Sequence, residues 1–391
     1  MSRLADPQAE LQKQFVATAS LHPLSASGSM GRRIVGVDLA QHLTAHQAEL
    51  LQTLLDSYHV LTFSGQDKNG LTVHHMERLA NHFGAPIPHP SNFSNYGAPV
   101  DELSPRRSSD QAVTKINAAF PDAIVCVEGA DTLATYPVNN LSNSGPDKEP
   151  VLAGGQHWHT DIEFEPIPLS TSMFYVQCAP TTRDAPGGTW VTNPGHEPGF
   201  YHPDSSLGLD SVRSALPLNG ETAFADTAAA FAALSPSRQA ELEPVLVRRR
   251  LRPNDDGWLV PLVYTNPRSG TKSLHSPVWA SRGKRVAAVQ VQGMTDDESR
   301  TFLDPLEEHV LQPQFRYDHV HRPGDVTIWS NFSTLHVAPP NKKIINDPAD
   351  ARLMYRISCK GEPSYELPRP DTDAWIANNI VPPYRSPSWQ S

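Results

Sequence analysis

The sequence predicts a mainly β fold (α+β), with many short strands joined by ordered loops and a few helices flanking them. Three observations carry this. The 391 residues include 37 prolines, and proline suits turns and strand edges while it breaks helix interiors. Short β-branched and apolar segments recur between Gly and Pro residues along the chain, as strands bounded by turns do. Helix signals are few, brief and individually capped, unlike those of a bundle. A β-barrel-like enzyme of this length runs as one domain, with enough chain to bury a substantial core.

Residues 1–30 join a short helical pattern, Ala9 to Val16, to a Ser/Gly stretch at 25–29. They read as a poorly ordered or loosely packed arm ahead of a single domain over 31–391. Arg33-Ile34-Val35-Gly36-Val37-Asp38-Leu39 is a strand. Thr44 caps a helix with Gln47 in the capping-box position, and Ala48, Leu51, Leu54, Leu55 and Tyr58 give it an apolar face. A strand at Val60 to Phe63 and a helix from Thr72 to Phe83 follow. Residues 84–155 are loop-rich, with a strand at Ala123 to Val127, and read either as a lid over a site or as a peripheral excursion. Ser172 to Cys178 is a strand, and 180–219, rich in Pro, Gly, His and Asp, is an insertion. Asp226 caps a helix from Thr227 to Leu234, and Ser235-Pro236 starts another. Strand fragments at Val263-Tyr264 and Leu274-His275 precede a helix from Asp296 to His309. A pair of strands follows, 315–320 and 325–329, separated by Pro323-Gly324, and Arg352 to Ser358 is the last strong strand.

The formal charge of -10 is spread over interspersed acidic and basic residues. That composition argues against a nucleic-acid surface or a polybasic membrane surface. Cys126, Cys178 and Cys359 form no CxxC, which fits free thiols in a reducing cytosol. No apolar run is long enough to cross a membrane, and no signal pattern opens the chain. A cytoplasmic protein is expected, and a homo-oligomer is compatible with this.

The chemistry centres on Gln156-His157-Trp158-His159-Thr160-Asp161. In an extended strand side chains alternate, so His159 and Asp161 share a face and can grip one metal ion. His336, far downstream in Trp329-Ser330-Asn331-Phe332-Ser333-Thr334-Leu335-His336, is the third ligand candidate. Two imidazoles and one carboxylate on one face, with open positions opposite, form the ligand set of non-haem Fe(II) oxygenases. A zinc hydrolase can use the same residue types.

Trp158-His159-Thr160-Asp161 resembles the metal-binding word of the taurine dioxygenase (TauD/TfdA) family of Fe(II)/2-oxoglutarate-dependent oxygenases. The similarity runs from about Ile34 to about Pro363 in family order. It implies a distorted double-stranded β-helix, or jelly roll, with helices packed outside. It also implies Fe(II), 2-oxoglutarate and O2 as cofactors, with His159, Asp161 and His336 holding the metal. The family's Gly-Gly-Asp-Thr word corresponds to Asn219-Gly220-Glu221-Thr222; the helix that should follow it follows Thr222 and not the competing Gly187-Gly188-Thr189. Thr222 and Arg352 then hold the distal carboxylate of the cosubstrate, for which a planar guanidinium is suited. Arg356 shares a strand face with Arg352, opposite Leu353, Tyr355 and Ile357. By the resemblance Arg356 and His89 meet an anionic group of the substrate. Gly155 stands where taurine oxidisers carry an amide side chain, which points away from taurine itself.

The implied reaction is oxidation of a C–H bond in a small anionic molecule, coupled to release of succinate and CO2. Asp161 favours hydroxylation over halogenation, because a small residue there would leave room for halide. Desaturation or cyclisation depends on substrate placement, and a relative oxidising a neutral heterocycle, xanthine-like, is the alternative. A non-catalytic jelly-roll binding protein is the reading from another class. His157 alternates onto the same face as His159, but the resemblance puts the ligand at His159 and leaves His157 behind the site or exposed. His74, His75, His196, His202, His309, His319 and His321 show no ligand spacing, and Arg248-Arg249-Arg250 reads as a solvated run.

Overall fold

The computed structural model describes residues 4–25, 30–66, 70–87, 89, 92–94, 102, 104, 120, 134–141, 143–153, 157–165, 168–181, 207–217, 220–281 and 286–360. The strand expected at 123–127, Gly155, Cys126, His196, His202 and Gly187-Gly188-Thr189 lie outside them. So do most of the 180–219 insertion and the tail from Gly361.

The N-terminal arm departs from expectation. Asp6 caps helix α1 (Pro7–Gln14), which buries Leu11, and strand β1 (Ser20–Pro23) pairs antiparallel with β2 (Arg32–Val35). Gln8 stitches the two together, its amide donating to Ala19 O at 2.8 Å and accepting from Leu21 N at 2.7 Å. One buried leucine and a few directed hydrogen bonds dock a segment whose polar composition suggests no packing.

Local signals place the next elements. Both halves of the Thr44/Gln47 capping box form at the start of α2 (Ala45–Tyr58), and Ala48, Leu51, Leu54 and Leu55 are buried. Strand β3 (Val60–Ser64) follows, then α3 (Val73–Ala80) behind its own cap, Thr72. After β4 (Ala85–Pro86), β5 (Tyr136–Asn139), β6 (Leu169–Cys178) and α4 (Leu207–Ser214) comes β7 (Thr222–Asp226). Asp226 Oδ1 accepts from Ala228 and Ala229 N–H to cap α5 (Thr227–Ala232), and Ser235 caps α6 (Pro236–Leu242). Helix α7 (Asp296–Val310) precedes β8 (Arg316–His319), β9 (Val326–Ser330), β10 (Thr334–Val337) and β11 (Leu353–Lys360).

Eight strands form the main sheet, in the order β1-β2-β3-β9-β6-β11-β4 with β5 also on β11; only β2–β3 is parallel. A three-stranded sheet, β8-β7-β10, lies against it. Strand alternation divides the packing. Met173, Tyr175, Ile328, Tyr355 and Ile357 of the main sheet join Leu51, Leu54, Met76 and Leu79 of α2 and α3 in one core. The opposite faces of the same strands present Phe174, Val176, Trp329 and Met354, which close on Phe224 of β7. Ala223 and Ala225, on the other face of β7, pack with Phe231, Leu303 and Leu306 of α5 and α7. The architecture is therefore mainly β with flanking helices, and its sheets stay open among the described residues.

The strands β8 and β9 do not pair with each other as the sequence suggests. They part at Gly324 (φ +85°), β8 joining β7 and β9 joining β3 and β6. A Cβ at Gly324 would stand 2.8 Å from Gln66 O, so glycine is needed there for close approach as well as for φ. The end of the expected insertion also packs into the body. In α4, Arg213 is buried with Glu307 of α7, through Nε to Oε1 at 2.7 Å and a second N–H to Oε2 at 2.6 Å.

Candidate metal and cosubstrate site

His159 and His336 are joined through the backbone. Each N–H donates to the other's carbonyl, at 3.1 and 2.9 Å, in an isolated antiparallel bridge. This differs from the regular strand expected for the metal word, since the chain turns immediately after Asp161, with Ile162 at φ +50°. The convergence of the side chains holds nonetheless. Their ring centroids lie 4.4 Å apart, and Asp161 Oδ1 is 3.7 Å from His159 Nε2 and 3.5 Å from His336 Nε2. One ligand atom from each residue lies within 4.8 Å of the other two, and all three residues are buried.

The donor set fits a divalent iron. His159 Nδ1 lies 2.7 Å from His157 O; as donor to that carbonyl it leaves the Nε2 lone pair for a metal. The two oxygens of Asp161 have different partners. Oδ2 accepts from Ser172 Oγ at 3.0 Å and from the Arg356 guanidinium, while Oδ1 faces the imidazoles. Ser172 is held in turn by Asn331 Nδ2 at 3.0 Å, and Trp329 Nε1 donates to Asn331 Oδ1 at 3.1 Å. Burial pushes the Asp161 carboxyl pKa up, but Arg356, His336 and His159 together hold it well below the usual carboxylate range. The carboxylate is thus ready to ligate.

The remaining predicted residues flank this centre. On β11 the inward face carries Met354 and Arg356, and Leu353, Tyr355 and Ile357 pack outward as the alternation requires. The Arg356 guanidinium lies on one side of the Phe174–Trp329 pair, 5.8 Å from each ring centroid. Arg352 is buried just before β11; its N–H donates to Asn140 Oδ1 at 2.8 Å and its carbonyl accepts from Asn140 N at 3.2 Å. It stands four residues from Arg356, about 13 Å of strand. Thr222 lies on β7 two residues before Phe224, the partner of His336 across β7–β10. Its hydroxyl is 2.9 Å from His321 Nε2. His89 stacks on Tyr136, centroids 3.8 Å apart and rings within 9° of parallel. Tyr136 pairs in register with Arg356, which brings His89 to that residue's side of the site. Burial first and the Arg356 charge second lower the His89 pKa to about 4, with Asp161 opposing. The imidazole is neutral at pH 7, so it can donate one N–H to an anion without adding charge.

Several residues escape a reading of spacing alone. His319 and His321 are buried beside Thr222 and pack edge to face at 5.0 Å. Arg249 corrects the solvated-run expectation. Alternation along 246–249 turns it inward, where it is fully buried and donates to His275 O and Ser276 O. Glu163 is likewise buried, receiving hydrogen bonds from Thr160 N, Ser276 Oγ and Ser281 Oγ. No local sequence pattern marks any of these residues; for Arg249 the alternation of burial along 246–249 emerges only once the strand is paired.

Comparison with known proteins agrees with this geometry. A family profile described as taurine catabolism dioxygenase TauD, TfdA family matches residues 19–358. The chain belongs to this family. Among its relatives, the alpha-ketoglutarate-dependent 2,4-dichlorophenoxyacetate dioxygenase of Cupriavidus pinatubonensis is 25% identical over 339 residues, covering 82% of this chain and 91% of that protein. Pentalenolactone F synthase of Streptomyces arenae is 28% identical over 175 residues, 38% of this chain and 54% of the synthase, so that match spans about half its length. The solved structure of AAD-2 in complex with Mn(II) and N-oxalylglycine superposes with a TM-score of 0.53 at 22% identity, covering 89% of this chain and 100% of that one. The protein is accordingly an oxidoreductase of the 2-oxoglutarate-dependent non-haem iron class, whose members use Fe(II), 2-oxoglutarate and O2. Among the described residues no helix is long and apolar enough to cross a membrane.

Proposed function

We propose that the protein hydroxylates a C–H bond of a small anionic organic substrate, coupled to conversion of 2-oxoglutarate into succinate and CO2. His159, Asp161 and His336 hold the iron, and Thr222 with Arg352 holds the distal carboxylate of 2-oxoglutarate. Bound together, iron and 2-oxoglutarate supply the oxidising power by oxidative decarboxylation. The protein's part is to hold, orient and enclose the reactants, within a jelly-roll arrangement of the two sheets.

One observation carries the anionic reading. Arg356 Nε is buried without a hydrogen-bond partner among the described residues, while another nitrogen of the same guanidinium sits on Asp161. A buried guanidinium N–H left without an acceptor is costly, and an oxygen of a substrate anion would supply that acceptor. Arg356 faces inward beside the adjoining rings of Phe174 and Trp329, which offer an apolar wall next to the charge. His89 provides a second donor from the neighbouring edge. A carboxylate with an apolar body fits that combination, and 2,4-dichlorophenoxyacetate, named for one relative, is such a molecule. Within segment 84–155, β5 pairs with β11 at Arg356 itself, through Tyr136, and β4 pairs with the far end of the same strand, at Cys359 and Lys360, which supports reading this segment as a cover for the substrate.

The test is oxygen consumption by the Fe(II)- and 2-oxoglutarate-loaded protein across sulfonates, carboxylates and purines, beside Asp161→Ala. Acceleration by an acid, absent from the variant, is expected. Acceleration by purines alone would overturn the anionic reading, and consumption equal to that of Asp161→Ala would overturn the metal assignment.

A further inference from the structure

The turn that follows Asp161 adopts a backbone conformation its sequence disfavours. Ile162 is β-branched and has φ +50°, in the left-handed region that such side chains rarely enter. Conformations of this kind persist where the surroundings over-determine them, and they gather at functional sites. The next residue supplies that constraint. Glu163 is 3% exposed. Its Oε2 accepts from Thr160 N at 3.2 Å, which closes the turn upon itself across Asp161 and Ile162. The same oxygen accepts from Ser276 Oγ, and Oε1 accepts from Ser281 Oγ.

The segment that Glu163 grips is itself immobilised. Arg249, fully buried, donates to His275 O and to Ser276 O. Ser276 also has a positive φ, +47°. Two disfavoured backbone turns, one of them next to a metal ligand, therefore meet at a single carboxylate. A carboxylate suits the site because its two acceptor oxygens take up all three donors at once, one backbone N–H and two hydroxyls. Glu163 does not belong to the His159–Asp161–His336 cluster, and both of its oxygens are already engaged.

We infer that Glu163 is a positioning residue for the metal centre. It holds the Asp161–Ile162 turn in its left-handed state and thereby keeps Asp161 Oδ1 aimed at His159 and His336. The inference rests on reading those three residues as the metal ligands.

The experiment measures Mn(II) affinity by calorimetry and thermal stability, on the full chain, for wild type, Asp161→Ala, Glu163→Gln, Ile162→Gly and the Ile162→Gly/Glu163→Gln double variant. Glu163→Gln replaces one of the two acceptor oxygens with an NH2 group and removes the charge, so that a serine hydroxyl must turn to accept. It is expected to weaken Mn(II) binding about 10- to 100-fold, the usual range for a residue that orients a ligand. Ile162→Gly removes the steric objection to a positive φ, so it is expected to bind Mn(II) nearly as wild type does. In the double variant it should recover part of the lost affinity. That recovery separates positioning from general structural support, which would lower the melting temperature without any gain from glycine. Wild-type Mn(II) affinity in Glu163→Gln, or a loss that glycine leaves unchanged, overturns the inference while the triad reading stands. Equal Mn(II) binding by Asp161→Ala and wild type overturns the triad reading, and this inference with it. If Glu163→Gln does not fold, Ser281→Ala carries the test, with a smaller loss expected and unchanged affinity counting against the inference.

Discussion

Asp161 divides its two oxygens between two tasks, one toward the imidazoles and one toward Arg356 and Ser172. Arg356 therefore stands on the side of the carboxylate away from the imidazoles, where the proposed substrate anion would meet it. For Arg356→Ala the Michaelis constant for an anionic substrate should rise by about two orders of magnitude, the scale of a charge-assisted hydrogen bond of roughly 2–3 kcal/mol. The constant for 2-oxoglutarate should change far less. Steady-state kinetics varying each reactant in turn check this, and equal increases in both would assign Arg356 to the metal centre instead. The His159–Asp161 pair is legible in the chain because it is a short word with a recognisable neighbour. The part played by Arg249 is not: three consecutive arginines suggest solvent, and only pairing with 258–261 and 290–291 turns the middle one inward.

Among the elements, β7 joins the most functions. Thr222 opens it, Phe224 pairs with His336 across the small sheet, and Asp226 ends it by capping α5. Phe224 is fully buried between the sheets, with its ring 5.6 Å from Trp329 and 6.3 Å from His336. Phe224→Ala should therefore destabilise the fold by about 3–5 kcal/mol, the range for emptying an aromatic site in a core. Chemical denaturation measures it, and a loss below about 1 kcal/mol would mean the two sheets are not held together there. Helix starts are legible at this scale, since a cap and its partner lie within one turn of each other. The allocation of β8 and β9 to different sheets is not, because a strand's residues do not name its partner.

At the scale of the whole molecule, burial holds several imidazoles below their ordinary pKa. Desolvation is the largest cause for His75, His82, His89 and His275 alike, and it takes His89 to about 4. The unfolded chain binds protons at these groups near pH 6.5 and the folded chain does not. Their contribution to stability is thus complete above about pH 6.5 and is lost as pH falls through the window beneath it. Burial raises Asp318, Asp325 and Glu307, which works in the opposite direction, nearer the carboxylate range. The melting temperature should be flat from pH 8 to about 6.5 and fall toward pH 5. A rise over that interval would show that the histidines are charged in the folded protein.

By itself the sequence determined the reaction class, the three metal-ligand candidates and most helix boundaries, because each depends on residues close together in the chain or on a motif with a fixed neighbour. Tertiary structure alone decided how those ligands meet. His336 reaches His159 through a two-bond backbone bridge, and Arg356 reaches Asp161 because β11 sets it opposite Phe174 of β6, two residues from the Ser172 that holds Asp161. It also decided that Glu163 and Arg249 are interior groups. Capping energies act over three or four residues, and periodicity within a single strand. Register between strands is settled by the summed packing of residues far apart in the chain, such as Phe174, Phe224, Trp329 and Met354 around one core, and no local pattern encodes that sum.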